Sequence, residues 1–381
     1  MPNLSKTLGL ICGVAALALP FAAFAQTVNP YEGMDKDEAG LWYTMDKAEA
    51  KVKTSGARIH DAALNAYVKN LTCDIVGPDC EKLRIYLINS PEFNALMAPN
   101  GMMMVSSGLL LRAENEAQLG CVIGHEYGHF LENHSLEQWR GLKNVGVTNL
   151  FIPIAGALIG MASLSDFSRD QEREADEIGF RLTSGKGYVP GECSDVWLNL
   201  IGENAVSDNK RTRKSTSKTK HGVFSSHPVA KERVETLKAL AESTEGGDKT
   251  GRDVYQAATV PHLAKWLDNE LLAKDYSRHI YLFEQLKDRG RHAATLNFYL
   301  GEAYRLRRQD GDKTKALSYW QEAATLDGAP PLVWRNLAEY ERRSGDKTKA
   351  LEYYNRYLSE APDAADKPLI QKYIDRLSKE N

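Results

Sequence analysis

The stretch Asn115–Ser135, NEAQLGCVIGHEYGHFLENHS, decides how this chain is read. Apolar residues fall at Leu119, Val122, Ile123, Tyr127, Phe130 and Leu131, near a 3.6-residue period, which predicts a single helix. Inside it, His125-Glu126-Tyr127-Gly128-His129 spells H-E-x-x-H. The i, i+4 spacing puts both imidazoles on one helix face, one turn apart, so both can reach the same ion. Glu126 projects beside them, where a carboxylate can take a proton from water held at that ion. Gly120, Gly124 and Gly128 recur every fourth residue along one face. Each costs about 1 kcal/mol relative to Ala in a helix interior, so the row predicts close approach of another backbone or of a substrate. Either the Asn94–Val105 segment or the helix carrying Glu172 is expected to lie against it.

A catalytic zinc takes three protein ligands and keeps one open position. The pattern that continues with Gly and a third His on the same segment fails here, because Glu132 and Ser135 occupy those positions. His134 is one residue off and is expected to be a surface histidine near the helix end. The alternative is an acid from a separate helix. SRDQEREADEIGFRLT, residues 168–183, reads as that helix, with Glu172 and Asp176 on one face beside Ala175, Ile178, Gly179 and Leu182. Solvated ion pairing accounts for Arg169, Asp170 and Arg173, but not for an acid beside the apolar stripe. Glu172 is therefore the candidate third ligand. Asp176, one turn on, is placed to hydrogen-bond a ligand imidazole and fix its tautomer.

Outward from this centre, 381 residues suggest two or three domains, and 43% hydrophobic with 26% charged residues is a globular composition. A net charge of -3 argues against a nucleic-acid partner. Lys6, the apolar run from Leu8 to Ala23 and Ala23-Phe24-Ala25 predict a cleaved signal peptide over 1–25, and hence export to the periplasm. Export leaves four cysteines. Cys73 and Cys80 bracket a turn-rich loop and are expected to form a disulfide, Cys121 is expected to be a buried thiol, and Cys193 has no evident partner.

Helices are expected over 36–54 and 58–71, a strand over 83–88, and a hairpin from Phe93 to Val105 turning at Asn100-Gly101. The edge of this small sheet could hold an extended peptide by strand addition. The apolar stretch 145–164 reads as buried helical structure or a membrane-facing lip rather than a span, since Asn149 and Pro153 interrupt it. Between Lys210 and Lys220 lie six Lys/Arg interleaved with Ser and Thr, a polar surface loop without aromatics to stack on bases. Residues 26–243 form the first domain, 244–251 a linker, and 252–381 an all-helical region. In that region Gly311–Leu317 recurs letter for letter as Gly345–Leu351, 34 residues on, the tetratricopeptide period. Such stacked hairpins form a concave surface for peptide or protein partners.

H-E-x-x-H, then Glu172-Arg173-Glu174-Ala175-Asp176, then Ser226-His227-Pro228, resemble the zinc metallopeptidase family that includes HtpX and the CAAX prenyl protease. Domain order places the chain beside the soluble periplasmic branch with a tetratricopeptide tail. The motifs cover 83–233. The resemblance implies an α+β, mostly helical, zincin-type fold and one Zn2+ per chain held by His125, His129 and Glu172. It further implies Glu126 as the base, Asp176 bonded to a ligand imidazole, and His227 and Arg233 near the active centre. The expected activity is an endopeptidase acting on misfolded or misassembled envelope proteins, with the repeat region recruiting substrates or partners and with peripheral membrane contact open. The competing expectation is an adaptor or chaperone with a latent or vestigial site. His227 follows the basic loop, so it is expected either to donate to the reacting oxyanion or to fill the open zinc position as a fourth ligand.

Overall fold

The computed structural model describes residues 31–144, 167–207, 231–290 and 292–379. The segment 1–25 read as a signal peptide, the 145–164 stretch, the basic segment from Lys210 to Lys220 and His227 lie outside the described residues.

Helix α1 (Lys36–Lys53) starts at Asp35, whose carboxylate accepts the Asp37 and Glu38 N–H groups. α2 (Ala62–Val76) starts four residues later than its periodicity suggests, because Asp61 caps Leu64 and Arg58 pairs with the sheet at Ile88. Three strands follow: β1 (Arg84–Ile88), β2 (Ala95–Met97) and β3 (Met102–Ser106). The order is β1-β3-β2, with β1 parallel and β2 antiparallel to β3. The β2–β3 hairpin turns at Asn100-Gly101, as expected, with Gly101 at φ +86°. Both sheet faces are buried, and alternation divides the methionine run. Met102 and Met104 join Tyr86, Ile88 and Leu96 against α1, whereas Met103 joins Leu87, Met97 and Val105 in the core that contains α2.

Beyond the sheet lie α3 (Ser107–Arg112), α4 (Glu116–Leu131), α5 (His134–Asn144), α6 (Arg169–Ser184), α7 (Glu192–Ala205) and α8 (Lys231–Glu242). α4 is the expected H-E-x-x-H helix, capped by Asn115 and buried from Glu116 to His129. α6 is the expected acidic helix, opened by a Ser168/Gln171 capping box. The glycine row explains their contact. A Cβ on Gly124 would sit 2.8 Å from Gly179 Cα, and one on Gly128 would sit 3.0 Å from Ala175 Cα. Two helices therefore cross backbone to backbone, and it is the Glu172 helix, not the hairpin, that uses the row.

Cys73 and Cys80 are bonded, as expected. The expectation of a buried Cys121 thiol is corrected: Cys121 is bonded to Cys193, and this disulfide ties α4 to α7. The two are 72 residues apart, so only the tertiary approach of α7 reveals the pair.

Residues 249 and 250 hydrogen-bond onto the first region, where Thr250 C=O accepts from Ala117 and Lys249 C=O from Val189. The helical region runs α9 (Arg252–Thr259), α10 (Leu263–Leu272), α11 (Tyr276–Asp288), α12 (Ala293–Arg307), α13 (Asp312–Ala324), α14 (Leu332–Ser344), α15 (Lys347–Glu360) and α16 (Lys367–Lys379). The internal repeat is structural. Gly311 and Gly345 both adopt positive φ before α13 and α15, and the buried pair Ala316/Trp320 recurs as Ala350/Tyr354. A cleft of about 680 Å³ opens among α12, α13 and α14, lined in part by Tyr304, Arg308, Lys313, Arg335 and Tyr340. Among the described residues, no helix is long and apolar enough to cross a membrane.

Candidate metal centre

α4 and α6 bring His125, His129 and Glu172 together. One ligand atom from each lies within 4.8 Å of the other two. His125 Nε2 is 3.2 Å from His129 Nε2 and 3.7 Å from Glu172 Oε2, and His129 Nε2 is 3.6 Å from Glu172 Oε1. All three side chains are buried. Asp176 Oδ1 lies 2.9 Å from His125 Nδ1, so Nδ1–H donates to it and Nε2 presents a lone pair to the other ligands. Two imidazole nitrogens and one carboxylate converging in a buried site form a donor set suited to Zn2+.

Arg233 comes from α8 and binds both acids. Its NH1 lies 2.7 Å from Glu172 Oε2, while Nε and NH2 donate to Asp176 at 2.7 and 2.6 Å. Its guanidinium lies over the Trp197 ring, which also packs edge-on against His125. Burial pushes the Asp176 carboxyl up, but Arg233's charge and hydrogen bonds outweigh it and, with His125, hold it at about 2. Arg233 therefore sits at the centre, where the resemblance places it.

Glu126 is also buried, and its Oε2 accepts the Met97 N–H at 3.2 Å. Burial, reinforced by the Glu172 charge, pushes its carboxyl up to about 7 against the opposing pulls of His125, the Met97 N–H and Arg233. Along β2, Ala98 N–H bonds to β3 and Asn94 C=O accepts from Ser106. The alternation then turns the Ala95 and Met97 backbone away from β3, and Met97 meets Glu126 there.

His134 corrects the sequence expectation. It is 2% exposed, and its Nδ1 lies 2.9 Å from His129 Nδ1. The expected helix ran through to Ser135. Instead α4 stops at Leu131, Asn133 takes φ +56°, and a new helix, α5, starts at His134 with its ring against His129. Phe167 stacks on the His129 ring at 3.9 Å between ring centroids and also lies 6.0 Å from the His134 ring. Asn133 is the one local signal that could have revealed this, since Asn readily adopts the left-handed conformation at a helix end. Trp197 carries no comparable signal.

An H-E-x-x-H helix crossed by a second, acid-bearing helix is the framework of a metal-dependent peptidase. Residues 59–241 match Peptidase family M48, so the chain carries a metallopeptidase domain of that family. It is similar to the mitochondrial metalloendopeptidase OMA1 of Arabidopsis thaliana, with 30% identity over 35% of this chain and 29% of that protein. It is also similar to the β-barrel assembly-enhancing protease of Escherichia coli strain K12, with 26% identity over 49% of this chain and 44% of that protein. The putative β-barrel assembly-enhancing protease of Vibrio cholerae is 26% identical over 52% of this chain and 46% of its own length. The chain thus spans less than half the length of these relatives.

Proposed function

We propose that this chain is an exported zinc endopeptidase that cleaves misfolded or misassembled envelope proteins. The convergence of His125, His129 and Glu172, with Glu126 beside them on the same helix, carries the reading. His125, His129 and Glu172 would hold the zinc ion, which would supply Lewis-acid polarisation of the scissile carbonyl and a water acidic enough to ionise near neutral pH. Glu126, buried beside the ligands, would accept the water's proton and return it to the leaving amine. Asp176 holds the His125 tautomer, and Arg233 holds Asp176 and Glu172 in register. Substrate would lie extended along the edge of β2 that faces away from β3, beside Glu126. His227 either donates to the oxyanion or, as a fourth ligand, closes the site until a partner is engaged.

Two disulfides among the described residues favour an oxidising compartment, and the β-barrel assembly-enhancing relatives favour the periplasm. The 34-residue helical repeat is read as a tetratricopeptide region whose cleft recruits substrate or partner.

Zinc content and casein cleavage test the reading together. The purified chain is expected to hold one zinc, and Glu126→Gln to keep it while losing turnover by about 10²–10⁴-fold. A chain that binds no zinc, or a Glu126→Gln variant with undiminished cleavage, overturns it. Bound partners without cleavage, even with His227 replaced by Ala, would favour the adaptor reading.

A further inference from the structure

His125 and His129 both turn Nε2 toward Glu172, so both need their Nδ1 atoms held from behind. For His125 the holder is Asp176 of α6. For His129 the Nδ1 neighbour is His134 Nδ1 at 2.9 Å. The far nitrogen of His134, Nε2, lies 3.3 Å from Glu174 Oε2, and Glu174 is again on α6, midway between Glu172 and Asp176. A carboxylate only accepts, so His134 Nε2 carries the hydrogen and its Nδ1 keeps a lone pair. His129 Nδ1–H then donates to that lone pair, leaving His129 Nε2 bare toward Glu172.

We propose that His134, backed by Glu174, is a positioning residue that fixes the tautomer and ring orientation of His129 for metal binding, as Asp176 does for His125. One helix would then supply a ligand and both braces: Glu172 to the metal, Asp176 directly to His125, and Glu174 through His134 to His129. The geometry is set by the left-handed Asn133, which separates α4 from α5, and by Phe167, which stacks on His129. His134 is buried while the Glu174 side chain is 53% exposed, so His134 carries most of the effect.

The inference rests on the zinc reading of the site, and its test separates the two. Zinc affinity of the full chain is measured by competition with a chromophoric chelator, and the Co2+-substituted protein reports the ligand field by its visible spectrum. His134→Leu, which fills the space without an acceptor, is expected to weaken zinc binding about 10–100-fold and to change the cobalt spectrum. His134→Asn, whose side-chain oxygen can accept from His129 Nδ1, is expected to recover most of that loss. Glu174→Ala is expected to lose less than about tenfold. Wild-type affinity and spectrum in His134→Leu would overturn the proposal, as would a His134→Asn variant no better than His134→Leu. If the unaltered chain takes up neither zinc nor cobalt, the zinc reading fails and this proposal with it. Should His134→Leu not fold, His134→Asn decides: tight binding with an unchanged spectrum supports the brace, and binding 10–100-fold weaker in a folded protein overturns it.

Discussion

At the scale of single residues, Arg233 is the balance point of the centre. It places one positive charge against two buried carboxylates, Glu172 and Asp176. Removing it leaves two desolvated acids side by side, a change that typically costs about 3–5 kcal/mol when a buried pair is broken. Arg233→Ala is therefore expected to lower the melting temperature of the zinc-free chain far more than that of the zinc-loaded chain, because the bound cation offsets the same two acids. Calorimetry with and without chelator measures this, and an equal drop in both states would contradict it. The residue scale also shows what local pattern can carry. His125, Glu126 and His129 are legible because i, i+4 on a helix fixes their relation without further knowledge. His134 escapes that pattern because one left-handed residue, Asn133, breaks the periodicity.

At the scale of elements, function depends on how closely α4 and α6 approach. Gly124 meets Gly179, and a Cβ on Gly179 would lie 2.6 Å from the His125 backbone nitrogen. Gly179→Ala must push the helices apart, and overpacking of this kind costs typically 1–3 kcal/mol. It should also draw Glu172 away from the histidines and weaken zinc binding. Gly141→Ala in α5, where an added Cβ meets nothing within 4 Å, is the control and should stabilise by up to about 1 kcal/mol. Denaturant melts and zinc titrations of both variants check this, and an undisturbed Gly179→Ala would show that the crossing is not tight. The glycine row announced a close neighbour, but the choice between the hairpin and the Glu172 helix needed the packed structure, since spacing on one helix says nothing of which element arrives.

Across the whole molecule, the metallopeptidase region and the helical region share a buried charge network. Arg112 of α3 donates to Glu203 of α7 and to Glu270 of α10, and Arg278 of α11 also donates to Glu203. Burial pushes Glu203 up, but Arg112 and Arg278 outweigh it and hold it at about 2. A carboxyl held lower in the folded than in the unfolded chain contributes stability that is complete above the unfolded value, about 4.3. That contribution is lost as pH falls from there toward 2. Zinc-free melts are expected to fall over that window, with a shallower fall in Glu203→Gln; identical slopes would show that the network does not control acid stability. The Cys121–Cys193 disulfide acts over a similar span by closing a long loop between α4 and α7. Its loss in Cys193→Ser is expected to cost about 4 kcal/mol by chain entropy, read from denaturant unfolding; a cost near zero would contradict this.

The H-E-x-x-H helix, the acidic helix, the strand-and-hairpin sheet and the 34-residue repeat are legible in the chain alone, because each is written in local periodicity, turn chemistry or exact recurrence. What those elements do to one another depends on how they pack. Packing sets Glu172 against the histidines, pairs Cys121 with Cys193, places Arg233 between two acids and puts His134 against His129. These relations join residues through a helix crossing, a disulfide or a single left-handed turn, and no short-range pattern in the chain encodes which partner lies on the far side.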